Sequence, residues 1–107
     1  MREIASGTAA CAGKAKGFAR IIHAGKELEK VKQGDVLVTS YTKPEYHNAL
    51  MKASAIVAST GGRLSHSAIV SRELGIPCIV GVEKALEVIK EGKMVLVDGD
   101  EGKIFEL

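Results

Sequence analysis

The fold is decided by the stretch Thr60-Gly61-Gly62-Arg63-Leu64-Ser65-His66-Ser67-Ala68-Ile69-Val70, in which a glycine pair leads to a histidine. The apolar run at 55–58 has strand character, and the glycines that follow end the strand. Ser65 is a good N-cap residue, so the pattern predicts a helix from there to about Leu74. The stretch therefore predicts a strand, a glycine turn and a helix in direct succession.

A helix start of this kind favours an anion beside His66. The first amides of a helix lack partners and carry partial positive charge, and Gly61 and Gly62 let the backbone approach a ligand closely. The same field disfavours a positive imidazolium, so a neutral His66 keeps one ring nitrogen as a nucleophile. Phosphorylation replaces this neutral ring with an anion. His66 is therefore a candidate phosphoacceptor.

The same spacing also fits a structural histidine. His66, Val70 and Leu74 fall on one row of the predicted helix, which would place His66 at the edge of the core. A single histidine after two glycines is a weak signal. The spacing of the residues alone leaves both interpretations open.

Composition argues against several classes of protein. The 107 residues predict one domain with a modest core. A net charge of +2, two tyrosines, two phenylalanines and no tryptophan do not suggest a nucleic-acid-binding surface. No apolar run approaches the roughly 20 residues of a membrane span, and the N-terminus lacks the apolar core of a signal peptide. We expect a cytoplasmic protein that binds neither nucleic acid nor membrane.

The cysteines and remaining histidines do not predict a metal site. Cys11 and Cys78 lack the spacing of metal ligands, and two cysteines do not make a disulfide framework. We expect reduced thiols, with Cys78 buried in a strand. His23 and His47 have no partner histidine at ligand spacing, so we interpret both as surface residues.

The N-terminal segment is predicted as a strand, a loop and a second strand. Residues 2–5 lead into the small-residue stretch 6–17, which invites comparison with a P-loop. The glycine spacing is one residue too long, and Ala15 follows Lys14 where a P-loop has Ser or Thr for magnesium. We therefore predict a loop over 6–17 and a strand over 18–22.

Short helices and strands alternate through the rest of the chain. We predict helices at 26–32, 44–52 and 83–90, and strands at 35–38, 78–80, 94–97 and 103–105. Gly75 and Pro77 close the central helix. The acidic, glycine-containing turn at 98–102 predicts a hairpin between the last two strands.

The segment GGRLSHSAIVSRELGIPCIVG, residues 61–81, resembles the active-site signature of the mobile phosphohistidine domain of phosphoenolpyruvate-utilising enzymes. Phosphoenolpyruvate synthase, pyruvate phosphate dikinase and enzyme I of the sugar phosphotransferase system belong to this family. The segments GDVLV, TKPEY and VLVDGDEGKIF occur in the expected order, so the resemblance covers essentially all of residues 1–107. It implies an α/β fold, a compact β/β/α swivelling domain that carries a phosphoryl group between two distant active sites.

The resemblance also implies roles for the residues of the signature. His66 would be phosphorylated on a ring nitrogen, Nε2. Gly61 and Gly62 would shape the loop, and Ser65 would cap the helix or donate a hydrogen bond to the phosphoryl group.

Two arginines are implied as phosphate-binding residues. A guanidinium contacts phosphate oxygens in a bidentate manner, so Arg63 and Arg72 are candidates for neutralising the phosphoryl charge. Arg72 fits an ion pair with a carboxylate equally well. Leu64 stands where several relatives have a threonine, so control by phosphorylation of that threonine is not available here.

The family enzymes add a nucleotide-binding domain, a phosphoenolpyruvate- or pyruvate-binding barrel, or both. This chain has neither a glycine-rich nucleotide loop nor a carboxylate cluster for magnesium. We therefore predict a stand-alone carrier module, incomplete as a phosphotransferase, that binds no cofactor itself and works with such domains in trans. Magnesium would belong to the partner's active site. A noncatalytic interaction or regulatory module, and a receptor for a small anion or nucleotide, remain open as alternatives.

Overall fold

The computed structural model describes residues 1–107 as one eight-stranded sheet with three α-helices. The strands are β1 Arg2–Ser6, β2 Thr8–Cys11, β3 Lys14–Ile22, β4 Val36–Thr39, β5 Ala55–Ala58, β6 Cys78–Val80, β7 Met94–Asp98 and β8 Lys103–Glu106. The helices are α1 His47–Lys52, α2 His66–Leu74 and α3 Ala85–Val88. Two 3-10 segments cover Gly25–Lys30 and Pro44–Tyr46.

The strand order across the sheet is β1-β8-β7-β3-β4-β5-β6-β2. The four central strands, β3 to β6, pair in parallel, whereas β1, β2, β7 and β8 join the sheet by antiparallel pairing. The long strand β3 connects the two parts, because residues 14–18 pair with β7 and residues 19–22 pair with β4. The parallel part provides a single edge at which the carboxyl ends of β3, β4, β5 and β6 meet.

Two apolar cores lie on opposite faces of the parallel strands. In β4, Leu37 belongs to one core and Val36 to the other, as the alternation of side chains along a strand requires. Helices α1 and α2 cover the first core and contribute Leu50 and Ala68. The second core includes residues of β7 and β8 together with Ala85 of α3. Helices, parallel strands and antiparallel strands thus form the layers of a β/β/α domain.

The central prediction of a strand and a helix around the glycine pair is confirmed. Strand β5 covers Ala55–Ala58, and α2 begins directly after Ser65 and ends at Leu74. The Ser65 side chain accepts a hydrogen bond from an amide of the first turn. Gly75 follows with φ 71°, a left-handed conformation that glycine adopts without strain.

The prediction of a loop over 6–17 was wrong. This segment contains β2, which pairs with β6 at the edge of the sheet, and the start of β3 at Lys14. Its small residues concealed the alternation that marks a strand. A Cβ at position 17 would clash with the carbonyl oxygen of Gly34, so Gly17 permits close packing of backbones within a strand rather than marking a loop.

The other predicted helices exist in shorter form. The segment predicted at 26–32 is the 3-10 turn Gly25–Lys30, and the segment predicted at 44–52 divides into a 3-10 turn and α1. Helix α3 begins at Ala85 because Lys84 has a left-handed φ of 59°, which ends any helix that would start at residue 83. None of these helices is long and apolar enough to cross a lipid bilayer.

Candidate functional site

His66 is the first residue of α2 and lies beyond the carboxyl end of β5. Ligands of open α/β sheets bind at this edge, because loops and helix starts from neighbouring strands converge there. The imidazole is partly buried. Leu64, two positions earlier, is 87% exposed. The histidine is therefore accessible from solvent but held by the surrounding residues.

The imidazole is held by a chain of two hydroxyl groups. His66 Nδ1 lies 2.8 Å from Thr42 Oγ1, which in turn lies 2.8 Å from Ser67 Oγ. Thr42 and Ser67 are 4% and 2% exposed, so both hydroxyls are shielded from water. The other ring nitrogen, Nε2, has no hydrogen-bond partner within the chain. The ring is thus fixed through one nitrogen and open at the other.

The direction of this hydroxyl chain determines which ring nitrogen carries the proton. When Thr42 donates to Ser67, its oxygen accepts the Nδ1–H of His66, and Nε2 keeps a lone pair. The opposite direction places the proton on Nε2. Only the first arrangement presents a nucleophile toward solvent.

The start of α2 offers two unpaired amides beside the ring. The amide of Ala68 donates to Ser65 Oγ at 3.4 Å, and the amide of Ile69 donates to the Ser65 carbonyl at 3.0 Å. The amides of His66 and Ser67 have no acceptor within the chain. Unpaired amides at the positive end of the helix dipole stabilise an anion.

The two glycines of the loop have different structural requirements. Gly61 has φ 100°, and a Cβ there would lie 2.9 Å from the Cβ of Ser65. Gly62 has an ordinary φ, and a Cβ there would meet no atom within 4 Å. Ser65 Oγ donates to the Gly62 carbonyl at 2.7 Å and so closes the loop onto the helix. The backbone conformation requires glycine at position 61 but not at position 62.

The two candidate arginines have different surroundings. Arg72 donates from Nε to the carbonyl of Ala10 at 3.1 Å and from a terminal nitrogen to the carbonyl of Arg63 at 2.7 Å. It therefore ties β2 to the loop before His66, and its partners are carbonyls rather than a carboxylate. The Arg63 side chain is exposed and makes no hydrogen bond or ion pair within the chain. Arg63 is thus the arginine whose guanidinium is free.

Sequence reasoning missed Thr42 and Ser67. Thr42 belongs to the segment TKPEY, which we used for the family resemblance and for the start of a predicted helix, but not for the site. The available signal was topological: β4 and β5 are neighbouring parallel strands, so the residues that follow them meet at one edge. A threonine after β4 was therefore a candidate partner for a histidine after β5.

The structure contains no group of three or more His, Cys, Asp or Glu side chains that could hold a metal ion. His23 and His47 are both exposed. Cys78 is buried and Cys11 is partly exposed, and both are free thiols. Burial raises the pKa of the Cys78 thiol to about 11.

The fold and the histidine at the start of α2 define a β/β/α swivelling domain. The sequence profile described as PEP-utilising enzyme, mobile domain, matches residues 31–102, and the chain belongs to this family. It is 47% identical over 103 residues to a phosphoenolpyruvate synthase of Pyrococcus furiosus, covering 96% of this chain. It is 43% identical over 107 residues to a phosphoenolpyruvate synthase of Neisseria meningitidis serogroup B, covering 92% of this chain. The chain spans only 13% and 14% of the lengths of these relatives.

Solved structures support the same fold. A solution structure of Enzyme I matches with a TM-score of 0.62 and 30% identity, covering 74% of this chain and 33% of that chain. The aconitase X structure of Thermococcus kodakaraensis matches with a TM-score of 0.70 at 20% identity, covering 96% and 97% of the two chains, and shows the fold alone. The predicted fold class, α/β with a compact β/β/α swivelling domain, is confirmed.

Proposed function

We propose that residues 1–107 act as a phosphohistidine carrier domain that accepts a phosphoryl group on Nε2 of His66. The observation that carries this proposal is the 2.8 Å contact between His66 Nδ1 and the buried Thr42 hydroxyl. This contact fixes the ring while leaving Nε2 without a partner. Positioning of a nucleophile is the main contribution that a protein makes to phosphoryl transfer.

In the proposed reaction, the lone pair of His66 Nε2 attacks the phosphorus of a donor in line with the bond to the leaving oxygen. The N–P bond forms as the P–O bond breaks, and the donor leaves with that bond's electron pair. Positive charge grows on the ring during the attack, and Thr42 stabilises it by accepting the Nδ1–H. The amides of His66 and Ser67 lie at the positive end of α2, where the phosphoryl oxygens are stabilised. Arg63 is the proposed countercharge, because its guanidinium has no other partner.

We propose that the donor is an ATP- or phosphoenolpyruvate-binding partner and that the acceptor is a small molecule such as pyruvate. The support is that the chain spans 13% of a relative named phosphoenolpyruvate synthase. Separate nucleotide-binding and phosphoenolpyruvate- or pyruvate-binding domains would act in trans, with magnesium in the partner's site and no cofactor in this domain. ATP and phosphoenolpyruvate are cytoplasmic metabolites, and we propose the same location for this domain.

Intact-mass analysis tests the proposal. The purified chain is incubated with magnesium and either ATP or phosphoenolpyruvate, with and without native cell extract. We expect an acid-labile, base-stable addition of one phosphoryl group that His66→Ala abolishes. His47→Ala is the matched control, because His47 is an exposed histidine outside the site. A folded wild-type protein that gains no phosphoryl group under any of these conditions would overturn the carrier function.

A further inference from the structure

Cys11 and Cys78 are cross-strand partners in the antiparallel pair formed by β2 and β6, just after a bulge between Ala9 and Cys11. Directly opposed residues of such a pair have Cα atoms about 4.5 to 5.5 Å apart and side chains on the same face. This separation lies within the range of about 4.4 to 6.8 Å in which two cysteines form a disulfide. The register therefore places the two cysteines as cross-strand neighbours, for which this range of separation is typical.

Both thiols lie beneath α2, the helix that begins with His66. The Sγ of Cys78 donates to the Ser67 carbonyl at 3.8 Å, and the Sγ of Cys11 donates to the Ser71 carbonyl at 3.9 Å. These two carbonyls are separated by one helical turn. Both sulfurs therefore lie against the first two turns of the same helix.

The two thiols differ in access to solvent. Cys11 is partly exposed at the edge strand β2, whereas Cys78 is fully buried. Burial raises the pKa of Cys78 to about 11, and the neighbouring sulfur of Cys11 acts in the same direction. A reagent in solution therefore meets Cys11 first, and Cys78 is the internal thiol that follows.

We propose that Cys11 and Cys78 form a reversible dithiol–disulfide site beneath the helix that carries His66, with a low-molecular-weight disulfide as the oxidant. The Cys11 thiolate attacks one sulfur of the oxidant, forms a mixed disulfide and releases one thiolate. Cys78 then attacks the Cys11 sulfur, giving its proton to the departing second thiolate. The two protein thiols lose two electrons, and the oxidant disulfide is reduced to two thiols.

The disulfide changes the surroundings of His66 through Ser67, which contacts both Cys78 and Thr42. Its sulfurs carry no proton, so the hydrogen bonds from Cys78 to Ser67 and from Cys11 to Ser71 are lost. Ser67 also contacts Thr42, which holds the His66 ring. Oxidation therefore shifts the ring resonances of His66. Any effect of oxidation on phosphoryl transfer rests on the proposed function. The formation of the disulfide and the shift of the His66 resonances do not depend on that function.

Oxidation of the full chain by glutathione disulfide tests this site, followed by alkylation with N-ethylmaleimide and intact-mass analysis. We expect wild type to lose two hydrogen masses, to resist alkylation, and to regain both thiols with dithiothreitol. Cys78→Ala stops at one glutathione on Cys11, and Cys11→Ala reacts far more slowly. Peptide mapping of wild type alone shows the peptides of Cys11 and Cys78 joined, which keeps the test valid if a variant unfolds.

Two results would overturn the proposal. The first is a wild-type protein that keeps two alkylatable thiols or stops at the mixed disulfide. The second is a disulfide that leaves the His66 ring resonances unchanged in a nitrogen-15 spectrum, which removes the link to the site. A reduced protein that is not phosphorylated would instead contradict the proposed carrier function, and the disulfide proposal would be unaffected.

Discussion

His66 Nδ1 and Thr42 Oγ1 lie 2.8 Å apart, although the two residues are 24 positions apart in the chain. They meet because β4 and β5 are neighbouring parallel strands whose following loops share one edge. The ring is therefore oriented by a residue outside the glycine and histidine motif. The ring of a histidine held in this way needs no reorientation before it attacks a donor.

Replacing Thr42 with valine is predicted to slow phosphorylation of His66 about fivefold, because a hydrogen bond of about 1 kcal/mol that orients the ring is lost. The same change removes the partner of buried Ser67, which lowers the free energy of unfolding by about 1 to 3 kcal/mol. Thr42→Ser keeps the hydroxyl and is the control. Rates come from quenched-flow intact mass and stability from urea unfolding. Equal phosphorylation rates in the two variants would contradict the role of Thr42.

The two glycines of the loop give a matched pair of substitutions. Gly61→Ala forces a side chain into the φ 100° conformation and against Ser65, so it should cost about 1 to 3 kcal/mol of stability. Gly62→Ala meets no atom within 4 Å and should leave stability unchanged. If the bare backbone at Gly62 receives the phosphoryl group, Gly62→Ala still slows phosphorylation. Equal unfolding free energies for the two variants would contradict the conclusion that position 61 requires glycine and position 62 does not.

The two arginines are predicted to have different roles. Arg72 contributes to stability, and Arg63 contributes to binding of the phosphoryl group. Arg72→Met removes the hydrogen bonds to the Ala10 and Arg63 carbonyls and should lower the free energy of unfolding by about 1 to 2 kcal/mol. Arg63→Met removes no hydrogen bond or ion pair within the chain, so stability should change by less than about 0.5 kcal/mol. Phosphorylation of this variant should slow about tenfold through the lost countercharge. Normal phosphorylation of Arg63→Met would exclude Arg63 as a phosphate ligand.

A carboxylate outside the site, Glu91, should contribute to the acid sensitivity of the fold. Burial opposes ionisation of Glu91, but hydrogen bonds from the Ile21 amide and from Arg20 outweigh it, so the pKa of Glu91 is lowered from 4.5. A lowered pKa in the folded state gives stability that is present above pH 4.5 and lost as pH falls through the lower, folded-state pKa. Glu91→Gln should flatten the decline of stability below that pH.

The control for this prediction is Glu87→Gln, which removes an exposed carboxylate that forms no ion pair. Urea unfolding of both variants between neutral and acidic pH provides the comparison. If the free energy of unfolding of Glu91→Gln falls with pH as steeply as that of wild type, the ion pair of Arg20 and Glu91 does not contribute to the acid sensitivity.

The strongly marked elements of this fold were predictable from sequence, because each has a local cause. Ser65 and Gly75 bound α2 as N-cap and left-handed C-cap, and both ends were predicted from these residue types. Strand β2 was missed because its small residues lack an alternating pattern, and only pairing with β6 shows it as a strand. Helix α3 was predicted too long because Lys84 has a left-handed φ, a conformation that a lysine in a sequence does not predict.

The site was predictable only where its residues lie on one continuous segment. His66, Ser65 and the glycines belong to one segment, so local reasoning brought them together. Thr42 reaches the ring through the pairing of β4 with β5, and Arg72 reaches the Ala10 carbonyl through the packing of α2 on β2. These contacts depend on tertiary structure, which no local pattern encodes.

The central claim is that Nε2 of His66 accepts the phosphoryl group while Nδ1 remains hydrogen-bonded to Thr42. The most direct measurement is nitrogen-15 and phosphorus-31 NMR of histidine-labelled protein, phosphorylated in the presence of magnesium and repurified at alkaline pH. We predict one phosphorus coupled to Nε2 of His66, with no phosphorus on Nδ1, which keeps its hydrogen bond to Thr42 Oγ1. Phosphorylation on Nδ1, or on any residue other than His66, would contradict the account.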